Sequence, residues 1–410
     1  MAASKAAGAP GTTQGAMNGG DWGIHQISSV LNEIVQNATG KAIPNVITTS
    51  DFVAVARTAI DNIGWDVLQK EISQVTTRTI ISARPYHRHL WSLYVDTIKW
   101  GNHVRKLQFV DQDWTDNKSW DLVEGQSVDM FKVKKDKVLQ TNFYGQTTYR
   151  RWITWFQQQL NTSFNDPYEF MAYLTGKTTE LYNQIEQGHE ELGRMLIANY
   201  IGAIVHEANA DRVIHLLTEF NAATGLAVTD KTVYQGDNFR NFMGWLSARL
   251  SSLSDQFMER TNRFQTEVTG YVINRHTPKN KQKLITYSET MYQMQSMALS
   301  GIFHPDKVGI MSHETVGYWQ SPVTGKRNMI SVKPVGMKAD GSPDVIPDEV
   351  TVNNIFGVMF DAEALGYTIV DRFSANTPLN TTGRYYNQEW HDTDRYWNDF
   401  TEKGVVLLLD

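Results

Sequence analysis

The sequence predicts an α+β protein: one very long helix and several shorter ones packed on a mixed β-sheet, with extensions that their own domains do not cover. Three observations carry this. From Asp166 to about Tyr200, apolar residues hold one helical stripe far beyond the average helix of about 11 residues. Short strand-like runs recur through the second half, at 328–332, 355–360, 367–370 and 405–409. Residues 111–150 turn rich in Asp, Asn, Lys and Gln around two strand-like pieces, the pattern of a projecting hairpin.

Bulk properties narrow the function. At 410 residues the chain exceeds the usual size of one domain, which predicts two sequential or intertwined domains. Hydrophobic residues at 41% against charged residues at 20% are globular proportions, so the chain as a whole folds. Its 12 Trp, 17 Tyr and 17 Phe suit both cores and the centres of protein interfaces. With no Cys, disulfides, thiolate metal sites and cysteine nucleophiles are excluded together, as suits assembly in a reducing cytoplasm. A net charge of −6 lacks the positive field that holds nucleic acid by counterion release, so tight DNA binding is not expected. No run approaches the roughly 18 apolar residues of a membrane helix, and residues 1–20 lack the apolar stretch of a signal peptide. The expectation is a soluble, unprocessed chain.

In chain order, residues 1–20 are Ala-, Gly-, Thr- and Ser-rich and read as a flexible arm. Ile24, Ile27, Val30, Leu31, Ile34 and Val35 then recur at helical spacing, an amphipathic helix in need of a surface. Thr49-Ser50-Asp51 caps a second helix through Phe52, Val55, Ala56, Ala59 and Ile60, and Trp65, Leu68 and Ile72 mark a third. Residues 78–110 read as extended pieces, such as 79–81 and 93–95, broken at Pro85. In 111–150, strands at 128–133 and 138–143 flank the charged tip Lys134-Lys135-Asp136-Lys137; a hairpin with so little core must rest on something else. Asp166-Pro167-Tyr168-Glu169 starts the long helix with a cap, a first-position Pro and an early acid, and a bend is expected near Gly188 or Gly193. Further helices are predicted over 211–220 and 239–264, the latter with Phe242, Met243, Leu246, Leu250, Leu253 and Phe257 on one face, followed by a strand at 271–274.

Catalytic chemistry finds little support. His87 and His89, with His103 further on, have no third and fourth metal ligand at familiar spacing, and alternate strand residues face opposite sides. His189-Glu190-Glu191 and His206-Glu207 lack the second His four residues on that a zinc-protease helix requires. Gly176-Lys177-Thr178-Thr179 mimics the end of a phosphate loop, but Met171 stands where the first Gly belongs and the segment falls inside the long helix. A G-x-S-x-G elbow is absent, and the pairs Asp392/Asp394 and Asp399/Glu402 read as solvated or salt-bridged carboxylates. No catalytic residue, metal or cofactor is assigned. The basic cluster Lys132, Lys134, Lys135, Lys137, Arg150 and Arg151 is either a solvated tip, a docking element for an acidic neighbour, or a DNA contact; docking suits an acidic chain best.

Several segments then carry a family resemblance. They are Leu139-Gln140-Thr141-Asn142-Phe143-Tyr144-Gly145, Arg275-His276-Thr277-Pro278, Asn354-Ile355-Phe356-Gly357-Val358-Met359-Phe360-Asp361, Ala364-Leu365-Gly366-Tyr367, and the ending from Tyr396-Trp397-Asn398-Asp399-Phe400 through Val405-Val406-Leu407-Leu408-Leu409. Over roughly residues 45–410 the chain resembles the major capsid proteins of tailed double-stranded DNA bacteriophages, in particular those of small short-tailed phages, with the Hong Kong 97-type fold. The resemblance implies a flexible arm with its helix at 1–45, a peripheral domain at 46–110 and 151–205 with a spine helix at 167–205, an E-loop at 111–150, an axial domain at 206–384 and a C-terminal return at 385–410.

It further implies a head protein that self-assembles, as hexamers and pentamers, into an icosahedral or prolate shell around double-stranded DNA. A scaffolding protein, a portal protein and decoration proteins are its implied partners, the virion its location and the host cytoplasm its place of assembly. Lys132, Lys134, Lys135 and Lys137 of the E-loop, and Ile24, Ile27, Leu31 and Ile34 of the arm, are the expected contacts between subunits. Some relatives weld subunits through an E-loop Lys and a neighbour's Asn, but no matching acceptor motif stands in this chain. An encapsulin-like compartment shell and a soluble metal-dependent hydrolase are the alternatives weighed.

Overall fold

The computed structural model describes residues 86, 88–96, 103–111, 120–121, 123–125, 127, 131, 133, 135–156, 167–293 and 313–410, with the backbone alone over 167–174. The predicted arm with Ile24, Ile27, Leu31 and Ile34, the helices begun at Asp51 and around Trp65, the strand at 79–81, and Lys132 and Lys134 lie outside the described residues. The chain divides into two units. The first takes in residues 148–189 and 371–393, the second residues 89–147, 190–370 and 394–410.

The second unit is built on five strands in the order β4 (Val213–His215), β14 (Gly404–Leu408), β11 (Ile355–Asp361), β5 (Gln282–Tyr287) and β6 (Glu314–Val316). The central β11 runs antiparallel to β14 and β5, while the outer pairs β14–β4 and β5–β6 are parallel. Alternation along these strands feeds two cores. Val358, Phe360, Ile285, Val406 and Leu408 pack with Leu196, Ile197, Tyr200, Ile201 and Ile204 of α1 (Pro167–Glu207). Phe356, Met359, Leu284, Val405 and Leu407 pack with Leu217 and Phe220 of α2 (Leu216–Thr224) and with Phe242, Leu246, Leu250 and Phe257 of α3 (Asp237–Met258). A sheet covered on both faces favours apolar side chains pointing both ways, which is why β11 and β14 read as near-continuous hydrophobic runs.

Two glycines allow the close approaches this sheet requires. A Cβ on Gly357 would sit 2.8 Å from the Ile285 carbonyl, and one on Gly404 would overlap the Tyr200 hydroxyl. Smaller antiparallel pairs complete the unit: β7 (Ile330–Val332) with β10 (Val350–Val352), and β8 (Val335–Met337) with β9 (Pro343–Val345). Asn199 of α1 holds β8 by both ends of its amide, accepting from Val335 N at 2.7 Å and donating to Val335 O at 3.0 Å. The first unit carries a three-stranded sheet of β12 (Leu365–Asn376), β13 (Tyr385–Asn398) and β3 (Gln146–Phe156). There Trp155 is fully buried, donates its indole N–H to Gln388 at 3.1 Å and stacks near Tyr386.

The long helix forms as the stripe predicts, continuous over Pro167–Glu207. Its glycines serve packing: Gly188 makes room for the Arg151 guanidinium, and a Cβ on Gly193 would lie 3.3 Å from Leu90. Other expectations are corrected. Residues 211–220 are not one helix, because Val213–His215 extends beside β14 before α2 starts. The helix predicted to reach 264 stops at Met258, where Glu259 turns extended and Lys403 donates to the carbonyls of Glu259 at 2.6 Å and Gln256 at 3.5 Å. A cation on exposed terminal carbonyls is a favourable stop. Residues 271–274 form a loop rather than a strand, and Leu93 ends a 3-10 turn, Trp91–Leu93. Between β11 and β12 the chain makes a turn over residues 362–364.

Candidate functional site

Of the predicted hairpin, the piece at 138–143 forms a strand, while most of the piece at 128–133 lies outside the described residues. β2 (Val138–Phe143) pairs antiparallel with β1 (Val104–Phe109), from Val104 opposite Phe143 to Phe109 opposite Val138. A two-residue period splits this ribbon into two faces. Arg105, Leu107 and Phe109 point outward opposite Asn142, Gln140 and Val138, with Leu107 54% and Phe109 73% exposed. Phe131 and Val133 are each more than 80% exposed, and Lys135 and Lys137 are exposed. Large apolar side chains so exposed are a feature of surfaces that meet other proteins.

The inner face is seated by polar groups. Lys106 Nζ donates to Asp399 Oδ2 at 2.8 Å and to Glu402 Oε1, with Glu363 at 3.7 Å. Gln108 Nε2 donates to Thr401 Oγ1 at 3.3 Å. Arg275 reaches the same turn, with Nη1 2.7 Å from Glu402 and Nε donating to Thr401 O at 2.6 Å. Asp399 shapes that turn by accepting from Thr401 N at 2.9 Å and Thr401 Oγ1 at 2.6 Å. Further along, Asp111 accepts from Asn274 N at 2.7 Å and pairs with Arg260, while its own N–H donates to Val272 O at 3.0 Å.

Electrostatics follow burial. Burial lowers the pKa of Lys106, yet Asp399 and Glu402 outweigh it and the net shift is upward. Burial pushes Glu402 up to about 7, against the opposing pull of Lys106 and Arg275 and with the help of Asp399. A carboxyl raised in the folded state binds a proton there that the unfolded chain has already lost. Its stabilising contribution is therefore full below the unfolded value near 4.5 and is lost as pH rises through about 7. We expect the unfolding free energy to fall by up to about 3 kcal/mol between pH 5 and pH 8 from this group, at about 1.4 kcal/mol per unit. Urea titrations at both pH values should show that slope in the native chain and a flatter one in Glu402→Gln; equal slopes would exclude this assignment.

The other candidates fall into place separately. Arg150 and Arg151 lie on β3, where Arg150 donates to Glu389 at 3.0 Å and sits over Trp152. Asp392 pairs with Arg372 at 3.1 Å, and Asp399 and Glu402 are salt-bridged, not solvated. His189 and Glu190 are buried within α1, Glu190 accepting from Arg194 Nε at 3.1 Å and from His89 N at 3.3 Å. Gly176 to Thr179 are helical, with Thr178 donating back to Thr175 O. Among the described residues, no group of His, Asp and Glu is placed to hold a metal ion, and no helix is long and apolar enough to cross a membrane. Sequence reasoning missed Lys106, Gln108, Asp111 and Arg275. Lys106 and Gln108 show only as polar residues alternating with Leu107 and Phe109, a pattern that would ordinarily turn the apolar pair inward.

Comparisons with known proteins agree with this architecture. A chain from the capsid structure of Staphylococcus phage Andhra superimposes with a TM-score of 0.51 at 9% identity, covering 81% of this chain and 86% of the other. A chain from the structure of the head fiber and inner core protein gp22 of native bacteriophage P68 does so with a TM-score of 0.54 at 7% identity, covering 79% and 85%. At such low identity the likeness speaks for the fold, which is the Hong Kong 97-type fold of phage capsid subunits. No curated protein matches the sequence. The pattern of the Phi29-like phage major capsid proteins matches residues 35–406, nearly the whole chain, and neither the compartment nor the hydrolase alternative finds such support. With a family pattern that spans both units and a fold shared with phage shells, the chain belongs to the Phi29-like phage major capsid protein family, whose members form the head shell.

Proposed function

We propose that this head protein closes its shell through the parts that reach beyond its own body. The hairpin, with Lys132, Lys134, Lys135 and Lys137 near its tip, docks on an adjacent copy, and the segment of Ile24, Ile27, Leu31 and Ile34 lies on another. The observation that carries this reading is the exposure of Leu107, Phe109, Phe131 and Val133 on an element without a core of its own. Chemically identical subunits must occupy rings of five and six, so the contacts are heterologous and must tolerate several angles. Rigid bodies with adjustable extensions meet that need, and many weak contacts made together raise the effective affinity by orders of magnitude.

The proposed partners are further copies, a separate scaffolding protein, a portal and, on the outside, decoration proteins, with assembly in the host cytoplasm and the virion as destination. Double-stranded DNA is enclosed without sequence-specific binding, in keeping with a net charge of −6. The test is sedimentation and electron microscopy of the purified full chain with its scaffold supplied. Closed particles that package DNA are expected; a lone subunit at every concentration would overturn the proposal.

A further inference from the structure

We infer that Lys106 is a positioning residue, which fixes the attitude of the β1–β2 ribbon against the body of its own subunit. The ribbon is only two strands wide, and such a pair is marginal unless it rests on something. What it rests on is mixed: Leu139 and Phe143 of β2, opposite Gln108 and Val104, are half-buried and apolar, and the polar anchors come from β1. Of the inward side chains on β1, only Val104 is apolar and buried, while Lys106 and Gln108 both reach the turn at residues 399–402. Asp111 then fastens the end of the strand to Asn274, Val272 and Arg260.

Lys106 is central to this row. Its ammonium enters a group whose other charges are Asp399 and Glu402, with side chains 1% and 5% exposed, Arg275 on the same Glu402 oxygen, and Glu363, itself paired with Lys281 at 2.8 Å. Once Glu402 is ionised, above about pH 7, two buried carboxylates with Arg275 alone would lack a cation, so this seat then favours the ribbon in the one attitude that delivers Lys106. Apolar contacts tolerate sliding; an ammonium shared by two fixed carboxylates does not. The outer face, with Leu107 and Phe109, is thereby aimed in one direction.

This inference rests on the proposed docking of the hairpin only for its consequence in assembly; the seat itself is tested on the unassembled full chain. Hydrogen exchange followed by mass spectrometry would compare peptides covering 104–109 and 138–143 with those covering 355–361 and 404–408. For Lys106→Met we expect at least tenfold faster exchange in the ribbon and unchanged protection in β11 and β14, with Lys106→Arg recovering most of the ribbon's protection. Should Lys106→Met fail to fold because it strands a buried anion, the double variant Lys106→Met/Glu402→Gln removes that anion and should fold with a loose ribbon. Unchanged ribbon exchange, or equal acceleration in ribbon and sheet, would overturn the inference. A loosened ribbon on subunits that still assemble normally would leave the seat standing and count against the docking role.

Discussion

Removal of residues 1–38 is expected to leave a folded subunit that no longer closes shells. The deletion spares both cores of the second unit, which are built from residues 90 onward, and it removes only the first four positions matched by the family pattern. What it takes away is the apolar stripe of Ile24, Ile27, Leu31 and Ile34. Each such side chain is worth about 1.5–3 kcal/mol when fully buried. Even if ordering the arm cancels most of that, a remainder of about 1.4 kcal/mol per contact weakens each one tenfold. Because a shell repeats the contact in every copy, closure should be lost rather than merely slowed. Circular dichroism and thermal melting should match the full chain, while sedimentation with scaffold should show subunits or open fragments. Particles of normal size and outline in the electron microscope would contradict this.

How far the sequence could be read depended on where burial is decided. The long helix was legible because its stripe is local: Leu181, Ile185, Leu192, Leu196 and Tyr200 follow helical spacing, and all are buried. The strands β11 and β14 were legible because the sheet is covered on both faces there and their mostly apolar runs are buried throughout. Strand pairing was not legible. Residues 138–143 are strand-like by composition, but their partner lies at 104–109, and nothing short-range distinguishes that from 128–133. Likewise Val213 to His215 look helical from their neighbours and become a strand only because the C-terminal β14 offers an edge. The seat of the ribbon was hidden for a related reason. Lys106, Arg275, Asp399 and Glu402 are scattered over nearly 300 positions, and only the fold turns them from ordinary surface charges into a buried group.

Reversal of the three tip lysines, Lys134→Glu, Lys135→Glu and Lys137→Glu together, is the other change with a large expected effect. Each substitution shifts the charge by −2, so three of them take the chain from −6 to −12. Lys135 and Lys137 are exposed, and surface changes of this kind ordinarily alter folding stability by no more than about 0.5 kcal/mol. If the tip docks on an acidic neighbour, attraction becomes repulsion at each contact. An exposed pair is worth only about 0.2–1 kcal/mol, but three reversals per contact sum to on the order of 1–5 kcal/mol. That raises the concentration needed for assembly about tenfold or more at low salt. Exposed charges are screened over about 10 Å at 0.1 M salt and about 3 Å at 1 M, so high salt should restore part of the yield. A melting curve matching the native chain, together with salt-dependent loss of particles by light scattering, is the expected pair of results. Equal particle yields at every ionic strength would show that the tip charge takes no part in docking and that the apolar residues Phe131 and Val133 carry whatever contact the hairpin makes.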